Sequence, residues 1–138
     1  MPFSSRPMRA EDWKSIKHFK PTDRGFRAPE RMGYEFMLWL DKVRERAGVP
    51  MYVRSTVRDA AQNAAAGGAS KSAHMDALCE AADFAGEEEG SPMPGKHRLA
   101  IVKAALELGC TRIGVDENGS VHLDRTEDRR PSSLWVKV

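Results

Sequence analysis

Apolar residues at Met32, Phe36, Leu40 and Val43 recur at spacings of four, four and three, the repeat that lays one stripe along a helix. A helix over residues 29–47 follows, opened by Pro29, whose missing N–H costs nothing in a first turn, and closed by Gly48 and Pro50. The period then changes. Met51 and Val53 alternate with Tyr52 and Arg54, which predicts a short strand over 51–55. Residues 59–66 are alanine-rich and helix-prone until Gly67 and Gly68, and a polar loop at 69–73 leads to His74. Residues 81–85 form a short buried strand, and residues 87–95 an acidic, solvated loop. Leu99, Val102, Ala105 and Leu106 place a second long helix over 96–108, stopped by Gly109. Residues 111–115 and 120–124 are strands joined at 116–119, where Asn118-Gly119 supplies the positive φ values of a tight hairpin turn. His122 therefore sits on a strand. The first 28 residues are a loop-rich arm anchored by Trp13, Ile16, Phe19 and Phe26, and residues 125–138 are a polar tail tied back by Leu134-Trp135-Val136.

These elements predict one α+β domain over residues 1–138, with helices packed on one side of a small antiparallel sheet and a cleft across its open face. The length of 138 residues leaves room for one compact domain. With 41% hydrophobic and 30% charged residues, the composition is that of a globular chain. A formal net charge of +2 falls short of the one-sided field of a nucleic-acid binder, so no nucleic-acid partner is expected. No stretch approaches the roughly 20 apolar residues that span a bilayer, so no membrane insertion is expected. Residues 1–12 lack the apolar core of a secretory signal, and the expectation is a monomer made in the cytoplasm. Cys79 and Cys110 form no CxxC site and are expected to be reduced.

Of the four histidines, His74 and His122 lie beside elements that can aim a side chain into a cleft, while His18 and His97 stand in charged, exposed surroundings. With Asp83 they make a triplet. Two imidazoles and one carboxylate can hold a zinc ion at three tetrahedral corners and leave the fourth for water. Such an ion lowers the pKa of water from about 16 towards about 7, which makes hydrolysis feasible near neutral pH.

The order Ser55-Thr56-Val57-Arg58, Asn63, Gly67-Gly68, Ser72-Ala73-His74, Ala81-Ala82-Asp83-Phe84, Ile113-Gly114 and Val121-His122-Leu123-Asp124 resembles the M15 family of zinc peptidases. This is the D-alanyl-D-alanine carboxypeptidase and peptidoglycan endopeptidase group, which shares its fold with the Hedgehog signalling domain. The resemblance covers residues 32–124 and implies that His74, Asp83 and His122 bind Zn2+. It also implies that Arg58, with Ser55, meets the substrate, an arginine fork being suited to a carboxylate. The implied substrate is the peptide stem of peptidoglycan, cut at D-Ala-D-Ala or between L-Ala and a D-amino acid. A version without a signal is similar to a phage or prophage lysis enzyme that reaches the wall when another protein opens the membrane. The alternative is a phage structural or wall-binding module that keeps zinc but not catalysis.

The sequence departs from the family's pattern twice. His74 and Asp83 stand nine apart where many relatives have seven, and the longer loop contains Asp76 and Glu80, the alternatives to Asp83 as carboxylate ligand, with Asp83 preferred because it lies in the Ala-Ala-Asp-Phe strand that matches the motif. The acid that relatives place three residues before the last ligand is here Gly119. The expected general base is then Asp124, on the same strand face as His122, or Glu117 on the turn, and the alternative for either is to orient an imidazole.

Overall fold

The central strands alternate large apolar residues with small or polar ones, and this sorts the sheet into two faces. The computed structural model describes residues 6–69 and 71–137. After a 3-10 turn at Ala10–Ser15 and another at Pro29–Arg31 come α1 (Tyr34–Ala47), β1 (Tyr52–Ser55), α2 (Ala60–Ala65) and a third 3-10 turn at Ala73–Met75. β2 (Ala81–Ala85), α3 (Gly95–Glu107), β3 (Arg112–Asp116), β4 (Val121–Asp124) and β5 (Ser133–Lys137) complete the order. The strands lie in the order β1-β2-β4-β3-β5.

Phe84, Val121, Leu123 and Ile113 point to one face and are buried there. With the stripe of α1 (Phe36, Met37, Leu40, Val43) and Ile101, Ala104 and Ala105 of α3 they form one hydrophobic cluster. The predicted anchors Trp13, Ile16, Phe19 and Phe26 enter the same cluster, and Phe19 meets Phe84 with ring centroids 6.3 Å apart. The arm is therefore part of the core. The opposite face carries the polar residues.

Three details differ from the sequence reading, each for a local reason. The helix expected from Pro29 is interrupted at Met32 and Gly33, because their backbone groups leave the helix to bond Met8 N–H and the Cys79 carbonyl. The turn before β4 uses one left-handed residue, Gly119 at φ +86°, while no non-glycine residue among those described has positive φ. The tail forms a fifth strand, β5, which pairs with β3 in parallel, so the sheet is mixed where an antiparallel one was expected. A parallel partner needs a long connection, here the segment after β4, and carries no hairpin signal.

Leu40 is fully buried and Leu99 is 70% exposed, each on a helix. Leu40→Ala should cost roughly 2–5 kcal/mol in urea denaturation, and Leu99→Ala less than about 0.5 kcal/mol.

Candidate metal centre

One transverse row of the sheet builds the site. Ser55 on β1 pairs with Asp83 on β2, Asp83 with His122 on β4, His122 with Gly114 on β3, and Gly114 with Trp135 on β5. Residues paired across strands share a face, so these five positions look into the same cleft. A register irregularity between Val53 and Ser55 puts Val53 opposite Phe84 and Ser55 opposite Asp83. That bulge moves Ser55 from the core face, where strict alternation would leave it with Val53, onto the site face.

His74 arrives from the side, on the 3-10 turn that Ser72 caps through its hydroxyl oxygen. Its Nδ1–H donates to the Thr56 carbonyl at 2.5 Å. A carbonyl only accepts, so Nδ1 carries a proton and Nε2 is the nitrogen aimed at the row. His74 Nε2 lies 3.2 Å from His122 Nδ1 and 3.3 Å from Asp83 Oδ1, and His122 Nδ1 lies 2.8 Å from that same oxygen. A tetrahedral ion with bonds of roughly 2.0–2.1 Å sets its ligands roughly 3.3 Å apart. The three atoms thus form one face of a tetrahedron of zinc's size, and among the described residues this triplet could hold a metal ion.

The remaining polar atoms of the three side chains are also held. Asp83 Oδ2 accepts from Arg58 Nη2 at 2.7 Å, and Arg58 Nε and Nη1 donate to Ser55 Oγ at 3.0 Å and Asn63 Oδ1 at 3.4 Å. Asn63 Nδ2 in turn donates to the Ala69 carbonyl of the glycine-rich loop. Arg58 and Ser55, which the sequence marked for substrate, are thus placed where they fix the carboxylate of Asp83. On the other side, His122 Nε2 meets Asp124 Oδ2 at 2.7 Å, and Asp124 Oδ1 accepts from Arg112 Nε at 2.7 Å and Thr126 Oγ1 at 2.8 Å.

Asp124, which strand period offered as a proton acceptor or an imidazole partner, is placed against His122. It is 0% exposed, both oxygens are engaged, and it stands on the ring nitrogen opposite the one that joins the triplet. Glu117 lies on the exposed turn and outside the cleft lining. No acid fits at position 119 either, since a Cβ there would come within 2.4 Å of Pro92 Cβ. The carboxylates that do line the cleft beyond Asp83 and Asp124 are Glu88, Glu89 and Asp116. Sequence reasoning placed the acidic loop in solvent, and its exposed residues do stand there, on the cleft rim.

Charge in the site is arranged to hold a cation. Burial would raise the Asp83 carboxyl, but His74 and the hydrogen bond from His122 hold it well below the usual range. Burial also opposes charge on Asp124, and His122, Thr126 and Arg112 bring it down to about 2. His122 is desolvated too, yet bonds to Asp124 and Asp83 lift it to about 9. The His122 imidazole is thereby flanked by two carboxylates, an arrangement that favours positive charge at that point.

The nine-residue spacing is absorbed by a loop in which Asp76 and Glu80 face arginines away from the triplet. Asp76 is paired with Arg130 at 3.0 Å and Arg129 at 3.2 Å, and Arg31 donates to the Asp76 and Ala77 carbonyls. Glu80 faces Arg129 at 3.5 Å. Neither is within the triplet. Cys79 is fully buried, and burial pushes its thiol up to about 12, so it is no thiolate ligand. Arg112, Thr126 and the Thr56 carbonyl were missed by sequence reasoning. Arg112 was visible in principle, since strand period puts it on the site face beside Gly114, but a backbone carbonyl leaves no mark in a side-chain pattern.

Glu80 offers a stability test. Burial raises its carboxyl from 4.5 to about 7, with Arg129 opposing. The folded protein therefore holds a proton that the unfolded chain has lost, and stability falls as pH rises through that window. The advantage of Glu80→Gln over wild type should grow by on the order of 2 kcal/mol between about pH 5 and about pH 8. Denaturant titrations at the two pH values measure it.

A family model described as Peptidase M15 matches residues 15–124, a span that contains His74, Asp83 and His122 and ends before β5. No curated protein matches the chain. The match takes in most of the sequence, including all three residues of the triplet, and the chain belongs to the M15 peptidase family.

Proposed function

We propose that the protein is a zinc-dependent peptidase that hydrolyses the peptide stem of bacterial peptidoglycan, at D-Ala-D-Ala or between L-Ala and a D-amino acid. The observation that carries this reading is the triangle of His74 Nε2, His122 Nδ1 and Asp83 Oδ1, with edges of 2.8–3.3 Å, opening onto a cleft. When bound there, zinc supplies a Lewis acid and an acidified water.

The chain's own residues do the rest. Thr56 and Asp124 orient the two imidazoles through the nitrogens that face away from the ion, and Arg58 holds the free oxygen of Asp83. Preorganising the ligands in this way limits the reorganisation that accompanies charge development. Proton acceptance falls to a carboxylate on the open side. The loop between β2 and α3 supplies candidates, because the same loop brings Pro92 over Gly119 and places Glu88 and Glu89 on the cleft. A role in phage or prophage lysis, with another protein giving access to the wall, is part of this proposal.

A second reading has one observation in its favour. With Gly119 and Pro92 closing the family's acid position, the domain would bind zinc and wall without cutting, as a structural or wall-docking module.

Mass spectrometry of muropeptides after digestion of purified sacculi separates the two. The peptidase reading predicts new stem-peptide termini with wild type and none with His74→Ala. One equivalent of zinc with intact muropeptides would instead establish the binding module. Asp124→Asn should lower zinc affinity by about 10–100-fold, as loss of a carboxylate behind a ligating histidine typically does. Competition against a chromogenic chelator measures that loss, and unchanged affinity would show that Asp124 does not orient His122.

A further inference from the structure

The family match ends at residue 124, yet β5 reaches the centre of the site. In that strand Ser133, Trp135 and Lys137 face the cleft side, while Leu134, at 72% exposed, and Val136 stand in solvent. The strand thus spends its aliphatic residues outside the core and turns its aromatic residue towards the polar face. Trp135 and His122 have ring centroids 5.1 Å apart, and His74 contacts the same imidazole with centroids 5.0 Å apart. The Trp135 ring also lies 5.1 Å from the guanidinium carbon of Arg112, whose Nε holds Asp124, the partner of His122 Nε2.

The contact depends on a gap. Trp135 and His122 sit two strands apart, with β3 between them, and the β3 residue in that row is Gly114. A Cβ at Gly114 would come within 2.4 Å of Trp135 Nε1 and 2.5 Å of Cε2. Any side chain there would lift the indole off the row. Gly114 is needed for this close approach and not for backbone conformation, since its φ is not positive.

We propose that Trp135 is a positioning residue for the candidate metal centre: lying across Gly114, it holds the His122 imidazole in the orientation that aims Nδ1 at the ion. This rests on the reading of His122 as a metal ligand. The indole acts on His122 directly through ring contact and indirectly through Arg112 and Asp124, so its loss removes one of the contacts that, with Asp83 and Asp124, set the orientation of the ring.

The test uses Co2+ as a coloured probe in the full-length protein, following visible absorption during titration. Trp135→Ala should weaken Co2+ binding by about tenfold and change the intensity of the cobalt bands. Trp135→Phe, which keeps an aromatic face, should restore both to near wild type. Gly114→Ala should reproduce the Trp135→Ala defect with the indole still present, a result that loss of aromatic bulk alone would not give. Leu134→Ala, on the outer side of the same strand, should match wild type. Wild-type affinity and spectrum in folded Trp135→Ala, or in Gly114→Ala if the first variant does not fold, would overturn the proposal. Failure of the wild-type protein to take up Co2+ would overturn the metal reading itself.

Discussion

Strand register is the constraint on which the rest depends. Asp83, His122, Gly114 and Trp135 meet because β2, β4, β3 and β5 pair in one alignment, and a slip of one residue would turn every side chain on the slipped strand to the other face. The core enforces that alignment. Phe84, Val121, Leu123 and Ile113 are buried on the reverse of the residues that make the site, so moving His122 off the cleft would expose apolar surface that now packs under the helices. Hydrophobic packing thereby sets the positions of polar atoms that attract or repel one another only weakly in solvent.

Around that row, charge is balanced in a chain: Arg58, Asp83, His122, Asp124, Arg112. Two buried or half-buried carboxylates would be costly alone, and each is matched by an arginine on its outer side. Between them lies a position that favours positive charge. Folding and the proposed metal affinity would therefore draw on the same groups. The segment after β4 completes the arrangement, since Arg129 and Arg130 pin the enlarged ligand loop through Asp76, and Trp135 closes the end of the row.

Much of this was legible in the sequence, and what was not has physical reasons. The stripe of Phe36, Leu40 and Val43 marked a buried helix face, because burial imposes a period that a chain must display, and Asn118-Gly119 marked the turn between β3 and β4. The triplet was legible through the resemblance of its flanking motifs. The choice between base and imidazole partner for Asp124 stayed open, since period two puts it on the same face as His122 but does not say which ring nitrogen it meets. The pairing of Arg58 with Asp83 was hidden for a similar reason: a guanidinium suited to a substrate carboxylate suits a carboxylate of the chain equally well. β5 escaped because a parallel edge strand with its aliphatic residues in solvent shows no buried alternation.

X-ray absorption spectroscopy of the zinc-loaded protein tests the central claim most directly, because it reads the ion's neighbours without assuming activity. Convergence of His74, Asp83 and His122 predicts a first shell of nitrogen and oxygen only, at roughly 2.0–2.1 Å, with the outer-ring scattering of two imidazoles. A sulfur neighbour at roughly 2.3 Å, or scattering from fewer than two imidazoles, would contradict it.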